Sequence, residues 1–375
     1  MNLFDVYPLF DITPVKAIGS TIWDSNGQEY LDLYGGHAVI SIGHSHPHYI
    51  TAITNQLNQI GFYSNAVKIP IQQTLAELLG RISGYTDYSL FLCNSGAEAN
   101  ENAFKLASFH NGRKNIIAFK KSFHGRTSLA VATTDDVKII SPVNENTSIS
   151  FLPLNDIEAV EKAINNDTCA VIIEGIQGVG GVHLPTNDFF LNLRRLCDNH
   201  GAILIIDEIQ SGYGRSGKFF AHQYSGLKPD IITIAKGMGN GFPVAGVMIH
   251  PRFKAKHGML GTTFGGNYLA CSASIAVLEV VENEQLFENA ASIGEYLLRE
   301  LSVIQGVREV RGKGLMIGIE LHKPCAEIRK KLLFEHHIFT GSSSETNTIR
   351  LLPSLALKRE EADVFLKAFR VVLEE

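Results

Sequence analysis

The chain of 375 residues is long enough for about two domains that each bury a hydrophobic core. Hydrophobic residues make up 45% of it and charged residues 19%, which excludes a disordered protein, and the formal net charge of -5 argues against nucleic acid as the main partner. The first residues carry Asp5, Pro8 and Asp11 where a secretion signal needs an unbroken apolar run, and no stretch approaches membrane-spanning length, so we expect no membrane association.

Cysteine and histidine positions do not indicate a metal site. The five cysteines are far apart and include no C-x-x-C pair: Cys93, Cys169, Cys197, Cys271 and Cys325. This usage predicts neither a disulfide framework nor a zinc site, and it fits a reducing cytoplasm, where we expect the protein. His44, His46 and His48 alternate around Pro47, with no nearby carboxylate or cysteine to complete a ligand set. We therefore predict a turn that leads into a helix at His48.

The first predicted elements are a β-hairpin and helices. Asn26-Gly27 lies between alternating residues, which is the strongest short signal for a hairpin. Residues 70–82 have helical periodicity, and a strand, a tight turn and a helix follow from Tyr88. The tight turn over residues 94–97 (NSGA) leaves backbone N–H groups at the positive end of the helix dipole, so it could bind a phosphate. An ordinary Ser or Asn cap explains the same residues.

Strands and helices then alternate through residue 249, which predicts a doubly wound α/β domain with a mainly parallel sheet. Phe123 and Arg126 lie on the loop after one of these strands, and Glu174 ends another. Ligands of such sheets bind where loops leave the carboxyl ends of the strands, so we expect these residues near one crevice.

Two charged residues end the most apolar strands. Asp207 closes the run ILII and Lys236 closes IITIA, and β-branched runs without polar alternation are typical of strands buried on both faces. Burial lowers the pKa of a lysine, so its neutral amine can attack a carbonyl, and a nearby aspartate can keep a pyridine nitrogen protonated. The pair therefore suggests pyridoxal phosphate (PLP) as cofactor. The alternative is that both residues merely end strands, as in any α/β enzyme.

Between these strands Gly212, Gly214 and Gly217 spell G-x-G-x-x-G, the start of a dinucleotide-binding motif. In that motif a helix begins at the glycines, and an acidic residue ends the next strand about 20 residues later. Here the chain continues as KFFAHQYSGLKPD, which is aromatic and interrupted by Gly and Pro. We predict a flexible turn rather than a nucleotide site of a dehydrogenase.

From about Glu284 the pattern changes to a helix, two strands joined across Gly312 and Gly314, a further strand and an amphipathic helix. This predicts a second, smaller α+β domain. We expect an amino-terminal arm and hairpin over residues 1–45 that belong to the small domain, a large PLP-binding domain over 46–270, and the rest of the small domain over 271–375.

Together these stretches resemble the class III, fold-type I PLP-dependent aminotransferases, most closely the branch with the acetylornithine, succinylornithine and ornithine enzymes. The matching stretches occur in the family's order: WDSNGQEYLDLYGGHAV, GHSHP, CNSGAEANENAFKLA, SFHGRT, VIIEGIQGVGG, LIIDEIQSGYGRSG, IAKGMGNGFPVAG, GTTFGGN and IRLLPSL. The resemblance spans nearly the whole chain.

The resemblance implies roles in PLP binding. Lys236 is expected to hold the cofactor and to move a proton between substrate and cofactor, and Asp207 to pair with the ring nitrogen. Gln210 is expected near the ring oxygen and Phe123 against the ring face. The phosphate-binding turn of the family is matched by Ser95, Gly96 and Ala97.

It also implies contacts to the substrates and to a second subunit. Arg350 is expected to bind the α-carboxylate of glutamate and 2-oxoglutarate, and Arg126 their side-chain carboxylate and the distal carboxylate of an acylated ornithine. Without the family, either could be a surface or ion-pair arginine. Glu174 is expected near the substrate. Thr263 matches a threonine that reaches the cofactor phosphate of the neighbouring subunit, which implies a homodimer with shared active sites.

One position departs from the family. Relatives that act on a terminal amine usually carry a second glutamate in the turn after Glu174, which pairs with the equivalent of Arg350, and here that residue is Val179. One hypothesis is that a longer, more acidic acyl group, N-succinyl rather than N-acetyl, reaches Arg350. Lys68 could serve the same purpose, or be a solvated lysine.

The resemblance implies an aminotransferase that moves the δ-amino group of N-acetylornithine or N-succinylornithine to 2-oxoglutarate by a ping-pong mechanism in arginine biosynthesis, giving glutamate and a semialdehyde. Alternatives are another ω-amine donor, such as ornithine, 4-aminobutyrate or a diamine, an isomerase of the same fold, and a non-catalytic regulator that keeps the fold.

Overall fold

The computed structural model describes residues 1–374, which form three β-sheets with helices packed around them. The strands are β1 (Pro14–Ile18), β2 (Thr21–Asp24), β3 (Glu29–Asp32), β4 (Ser89–Cys93), β5 (Asn115–Phe119), β6 (Ile149–Leu152), β7 (Thr168–Glu174), β8 (Ile203–Asp207), β9 (Ile231–Ile234), β10 (Ala245–Ile249), β11 (Val307–Lys313), β12 (Met316–Leu321), β13 (Ile338–Phe339), β14 (Gly341–Ser342) and β15 (Thr348–Leu351). The α-helices are α1 (Gly35–Ala38), α2 (Pro47–Gln59), α3 (Pro70–Ser83), α4 (Gly96–Asn111), α5 (Ser128–Ala132), α6 (Ile157–Ala163), α7 (Asn187–His200), α8 (Tyr268–Asn283), α9 (Leu286–Ser302), α10 (Ala326–Phe334) and α11 (Arg359–Glu374). Single 3-10 turns span Pro142–Asn144, Ala221–Tyr224 and Lys236–Met238.

The largest sheet has seven strands in the order β4-β10-β9-β8-β7-β5-β6. The strands β5 to β9 run parallel to one another, and β10 runs antiparallel to both β4 and β9. Along β8, Ile203 and Ile205 pack on the side of α4, whereas Leu204 and Ile206 pack on the side of α7. Full burial of each such side chain contributes about 1.5–3 kcal/mol. Helices therefore cover both faces, which confirms the predicted doubly wound, mainly parallel sheet.

The two smaller sheets have the strand orders β1-β2-β3-β13 and β11-β12-β15-β14. β2 and β3 form the predicted hairpin around Asn26 and Gly27, with Trp23 opposite Glu29. β13 pairs with β3, so the amino-terminal hairpin joins a strand from the last quarter of the chain. The hairpin β11-β12 turns later than expected, because Gly312 still pairs with Ile317. The expected boundary at residue 270 falls within α8, and the division into domains stays a prediction.

The prediction of a flexible turn at the glycines 212, 214 and 217 was partly wrong. No α-helix begins there, as expected, but residues 212–216 are buried rather than loose, and Gly217 is half-buried. A Cβ at Gly214, where φ is +85°, would lie 2.3 Å from the ring of Phe287 on α9. Arg215 is 2% exposed and donates hydrogen bonds to the carbonyl oxygens of Leu315 and Pro353. These glycines therefore allow close packing between the loop that follows β8 of the large sheet and the elements around the sheet β11-β12-β15-β14.

The three histidines of the GHSHPH stretch contact three different acids. Their Nε2 atoms lie 2.9 Å from Asp32 for His44, 2.8 Å from Glu284 for His46 and 2.6 Å from Glu279 for His48. Within residues 1–374 no group of three or more His, Cys, Asp or Glu side chains could hold a metal ion. Nor is any helix in this range long and apolar enough to span a membrane.

Candidate active site

The residues singled out in the sequence meet at one edge of the seven-stranded sheet. Glu174 and Asp207 end β7 and β8 and are paired neighbours across the two strands. Asp207 also pairs with Thr233 of β9, and Lys236 follows two residues after that strand ends. Because parallel strands end on the same side, the register alone places the three ionisable groups together.

A cavity of about 400 Å³ opens at this edge. Its lining includes all but two of the predicted site residues: Ser95, Gly96, Ala97, Phe123, Arg126, Glu174, Asp207, Gln210 and Lys236. Val179 and Phe242 line it as well. The two predicted residues outside the lining are Arg350 and Thr263. The structure therefore brings together side chains that are up to 141 residues apart in sequence.

Lys236 is held in an uncommon backbone conformation. Its φ is +46°, in the left-handed region, which costs about 1–3 kcal/mol for a residue other than glycine. The turn around it is fixed by hydrogen bonds from Met238 N–H to Ala235 O (3.0 Å) and from the Ser41 hydroxyl to Gly237 O (2.7 Å). Burial lowers the pKa of the Lys236 amine from 10.5 to about 8, although the carboxylates of Asp207 and Glu174 oppose this shift. Near neutral pH the unprotonated, nucleophilic form of this amine is therefore far more populated than in an ordinary lysine, although the protonated form still predominates.

Asp207 is buried and held by residues that the sequence interpretation did not single out. Its Oδ2 accepts hydrogen bonds from Asn100 Nδ2 and from the ring nitrogen Nδ1 of His124, both at 2.8 Å. Its Oδ1 accepts from Ile209 N–H at 3.0 Å. Asn100 is fully buried on α4 between alanines, and a polar residue on such a face was a signal that could have been found. These contacts fix the carboxylate at the inner wall of the cavity.

Glu174 is buried beside Asp207 but is bound by backbone groups. Its carboxylate accepts hydrogen bonds from Phe123 N–H (3.0 Å) and Gly178 N–H (2.9 Å). The pKa of Glu174 is raised to about 7, chiefly by burial; His124 opposes this shift and the charge of Asp207 adds to it. Glu174 therefore orders the loop of Phe123 and the turn that leads to Val179.

The predicted phosphate turn forms the start of α4. Ser95 caps the helix by accepting a hydrogen bond from Glu98 N–H at 3.2 Å, so the cap interpretation is correct for its side chain. The first N–H groups of a helix have no partner within it, and here Ser95, Gly96 and Ala97 at the start of α4 all line the cavity. A Cβ at Gly96 would lie 2.9 Å from the side chain of Ile209. A helix cap by the Ser95 side chain and phosphate binding by the backbone of the same turn are therefore compatible with each other.

The two predicted carboxylate-binding arginines differ in setting. Arg350, on β15, is 3% exposed and lies behind Gln210, whose Oε1 accepts from its Nη1 at 3.3 Å. Its Nε donates to Ser342 O. Burial lowers the pKa of Arg350, while Tyr34 and Glu174 oppose the shift. No ion pair joins Arg350 or the exposed Arg126 to an acid within residues 1–374.

Thr263 and Lys68 lie outside this cavity. Thr263 is exposed, and its neighbour Thr262 lines a second cavity of about 740 Å³ together with Lys68 and Asn65. Lys68 therefore does not line the first cavity of its own chain. The expected role of Thr263 at a neighbouring subunit stays a prediction.

We expect the lowered pKa of Lys236 to be visible in the cofactor-free protein by competitive labelling with acetic anhydride. Only the unprotonated amine reacts, so the labelling rate should rise with pH and reach half its maximum near pH 8, well below the ordinary lysine value of 10.5. Mass spectrometry of the peptides gives the rate, with the exposed Lys162 as internal reference. A half-maximum above pH 10 would contradict the prediction.

Comparison with known proteins supports a family. A sequence profile of the family described as Aminotransferase class-III matches residues 5–373. The acetylornithine aminotransferase of Nitrosomonas europaea is 39% identical over 376 aligned residues, which cover 96% of this chain and 95% of that protein. The acetylornithine aminotransferase of Archaeoglobus fulgidus is also 39% identical, with coverage of 99% and 97%.

Solved structures agree with the family. The ornithine aminotransferase of Toxoplasma gondii ME49 superposes with a TM-score of 0.91 at 26% identity, covering 98% of this chain and 91% of that one. An amine transaminase from an uncultivated Pseudomonas species, solved in its PLP-bound form, gives 0.90 at 28% identity, with coverage of 97% and 95%. From these matches and the geometry of the sheet edge, the chain belongs to the class III aminotransferases and is a transaminase of that fold.

Proposed function

We propose that the protein uses PLP to move the δ-amino group of an N²-acylornithine to 2-oxoglutarate, giving glutamate and the acylated semialdehyde, within arginine biosynthesis in the cytoplasm. The observation that carries the substrate assignment is the pair of arginines, Arg350 and Arg126, that have no acid partner within residues 1–374 and suit substrates with carboxylates. The acetylornithine aminotransferases at 38–39% identity support it.

The residues at the sheet edge fit PLP. A lysine with a lowered pKa, a buried carboxylate in the same cavity and a helix N-terminus suit an aldehyde, a ring nitrogen and a phosphate. We assign the aldehyde to Lys236, the ring nitrogen to Asp207 and the phosphate to the turn at Ser95, Gly96 and Ala97. When bound, PLP supplies an electron sink for negative charge at the substrate carbon.

The protein's own residues then divide the remaining work. With the cofactor bound, the Lys236 amine would take the proton from the substrate carbon next to the reacting nitrogen and hold it for its return. Asp207 keeps a negative charge at the inner wall, where His124 and Asn100 hold it in place. Phe123 and Gln210 line the cavity, where Phe123 would contact one face of the ring and Gln210 its oxygen. The donor product leaves before 2-oxoglutarate binds, which is the ping-pong order.

We further propose a homodimer in which Thr263 contacts the cofactor phosphate of the neighbouring subunit. Thr263 is exposed and removed from the cavity of its own chain. Apolar side chains of the amino-terminal arm are also largely exposed in the single chain, among them Leu3, Phe4 and Leu9. Contact with a second copy of the chain would remove these apolar side chains from water, which favours a dimer.

A second candidate donor, N-succinylornithine, is favoured by Val179. This apolar residue lines the cavity where relatives acting on terminal amines carry a glutamate, and the nearby Glu174 is bound by two N–H groups instead of Arg350. A donor with an extra carboxylate could satisfy Arg350, whereas N-acetylornithine could not do so with its acetyl group.

Steady-state kinetics on PLP-saturated enzyme test both assignments. With 2-oxoglutarate as acceptor, we expect kcat/KM for the acylornithines to exceed that for ornithine and 4-aminobutyrate by at least about tenfold. A preference for ornithine or 4-aminobutyrate would replace the proposal by another ω-aminotransferase. Equal or better turnover of N-acetylornithine than of N-succinylornithine would remove the succinyl candidate. If neither turnover nor a visible absorbance band of bound PLP were detected, the alternative of a non-catalytic regulator with the same fold would replace the proposal.

A further inference from the structure

One acidic side chain outside the cavity, that of Glu345, forms hydrogen bonds with three different segments of the chain. Glu345 lies on the loop between β14 and β15, the hairpin that carries Arg350. Its Oε1 accepts hydrogen bonds from Lys121 Nζ and from His183 Nε2 (3.0 Å), and its Oε2 accepts from Arg311 Nη2 (2.8 Å). Partial burial raises the pKa of the Glu345 carboxyl, but Lys121 and His183 more than offset this and hold the pKa below its ordinary value.

The partners of Glu345 come from two loops of the seven-stranded sheet and from the sheet β11-β12-β15-β14, the small sheet. Lys121 lies on the loop after β5, two residues before Phe123. His183 follows the turn that contains Val179, and its backbone oxygen accepts from Gln177 N–H at 2.9 Å. Arg311 belongs to β11 of the small sheet, yet its Nε donates to Gly181 O in the same turn at 2.8 Å. Glu345 therefore ties the small sheet to two loops at the cavity edge of the large one.

The same loop reaches the cavity through short connections. The N–H and hydroxyl of Ser344 donate to Val179 O at 2.9 and 3.2 Å. Ser342 O accepts from Arg350 Nε, and Gly341 pairs with Arg350 across the β14-β15 ladder. A shift of the Glu345 loop would therefore move both Val179 and the backbone group that orients the Arg350 guanidinium.

We propose that Glu345 is a positioning residue that fixes Arg350 and the Val179 turn for binding of a substrate carboxylate. The inference rests on the proposed function, in which Arg350 binds that carboxylate. A guanidinium held in its binding orientation does not have to be ordered when the ligand arrives. Loss of the contact should therefore weaken carboxylate binding more than it slows the proton transfers at Lys236.

The test is Glu345→Gln, which keeps the shape and removes the charge. We expect KM for 2-oxoglutarate, and the inhibition constant of glutarate, to rise about three- to tenfold, while kcat stays within about twofold of wild type. Glutarate has no oxo group and reports binding alone. It therefore tests Glu345 even if the wild-type enzyme proves to use a donor other than an acylornithine, so the two proposals can fail separately.

The matched control is Glu309→Gln. Glu309 also contacts Arg311 (3.2 Å), but its side chain is 56% exposed and, within residues 1–374, no hydrogen bond or ion pair joins it to the Val179 turn. We expect this variant to keep the wild-type KM for 2-oxoglutarate and the wild-type inhibition constant of glutarate. Lys121→Gln removes one partner of Glu345 from an exposed position, should shift the constants in the same direction, and decides the matter if Glu345→Gln does not fold. The proposal would be overturned if KM for 2-oxoglutarate and the inhibition constant of glutarate were unchanged in Glu345→Gln, or in Lys121→Gln where Glu345→Gln does not fold. An equal rise of both constants in Glu309→Gln would also overturn it.

Discussion

Replacing Lys236 with alanine is expected to abolish transamination, lowering kcat by at least about 10⁴-fold. No other lysine lines the cavity within residues 1–374, so no second amine is placed to bind the cofactor aldehyde or to move the proton at the substrate carbon. The measurement is glutamate formation over hours from an acylornithine and 2-oxoglutarate, with enzyme kept saturated with PLP.

Lys162→Ala is the control for this substitution, since Lys162 is 80% exposed and, among residues 1–374, forms an ion pair only with Glu158 on its own helix. It should behave as wild type. The alanine at position 236 should not lower the unfolding temperature of the cofactor-free protein, because burial disfavours the charged amine it removes. Retention of more than about 1% of wild-type kcat would show that another group transfers the proton.

Replacing Asp207 with asparagine is expected to lower kcat by about 10²- to 10⁴-fold while the cofactor remains bound. The amide has nearly the same shape, but it carries no negative charge to keep a ring nitrogen protonated. Since Asn100 and His124 both donate to Asp207 Oδ2, an asparagine there also deprives both hydrogen bonds of their charged acceptor. Turnover is measured together with the visible absorbance of bound PLP.

Asp230→Asn separates this effect from the loss of any buried carboxylate. Asp230 is equally buried at 4% exposure, but it lies before β9 at the opposite edge of the sheet, paired with Arg194 and Arg252. Its replacement should lower the unfolding temperature and leave kcat of the folded enzyme nearly unchanged. If Asp207→Asn also changed stability alone, its role would be structural and the assignment to the ring nitrogen would be wrong.

The sequence by itself predicted the large sheet and the centre of the site. The β-branched runs before Asp207 and Lys236 identify buried strands, and parallel strands end at one edge whatever the rest of the fold does. The Asn26-Gly27 hairpin and the cap at Ser95 were equally visible, because each is a local conformational preference of a few adjacent residues.

Only the tertiary structure decided what surrounds these residues. The contact of Glu345 with Lys121 spans 224 residues, and that of His124 with Asp207 spans 83, so no periodicity or turn signal encodes either one. The buried packing of the glycines at 212, 214 and 217 was misjudged for the same reason, since glycine indicates freedom in sequence but close approach in a packed fold. Sequence pattern determines which segments become strands and helices. The partners of a charged side chain are set by how those segments meet in space.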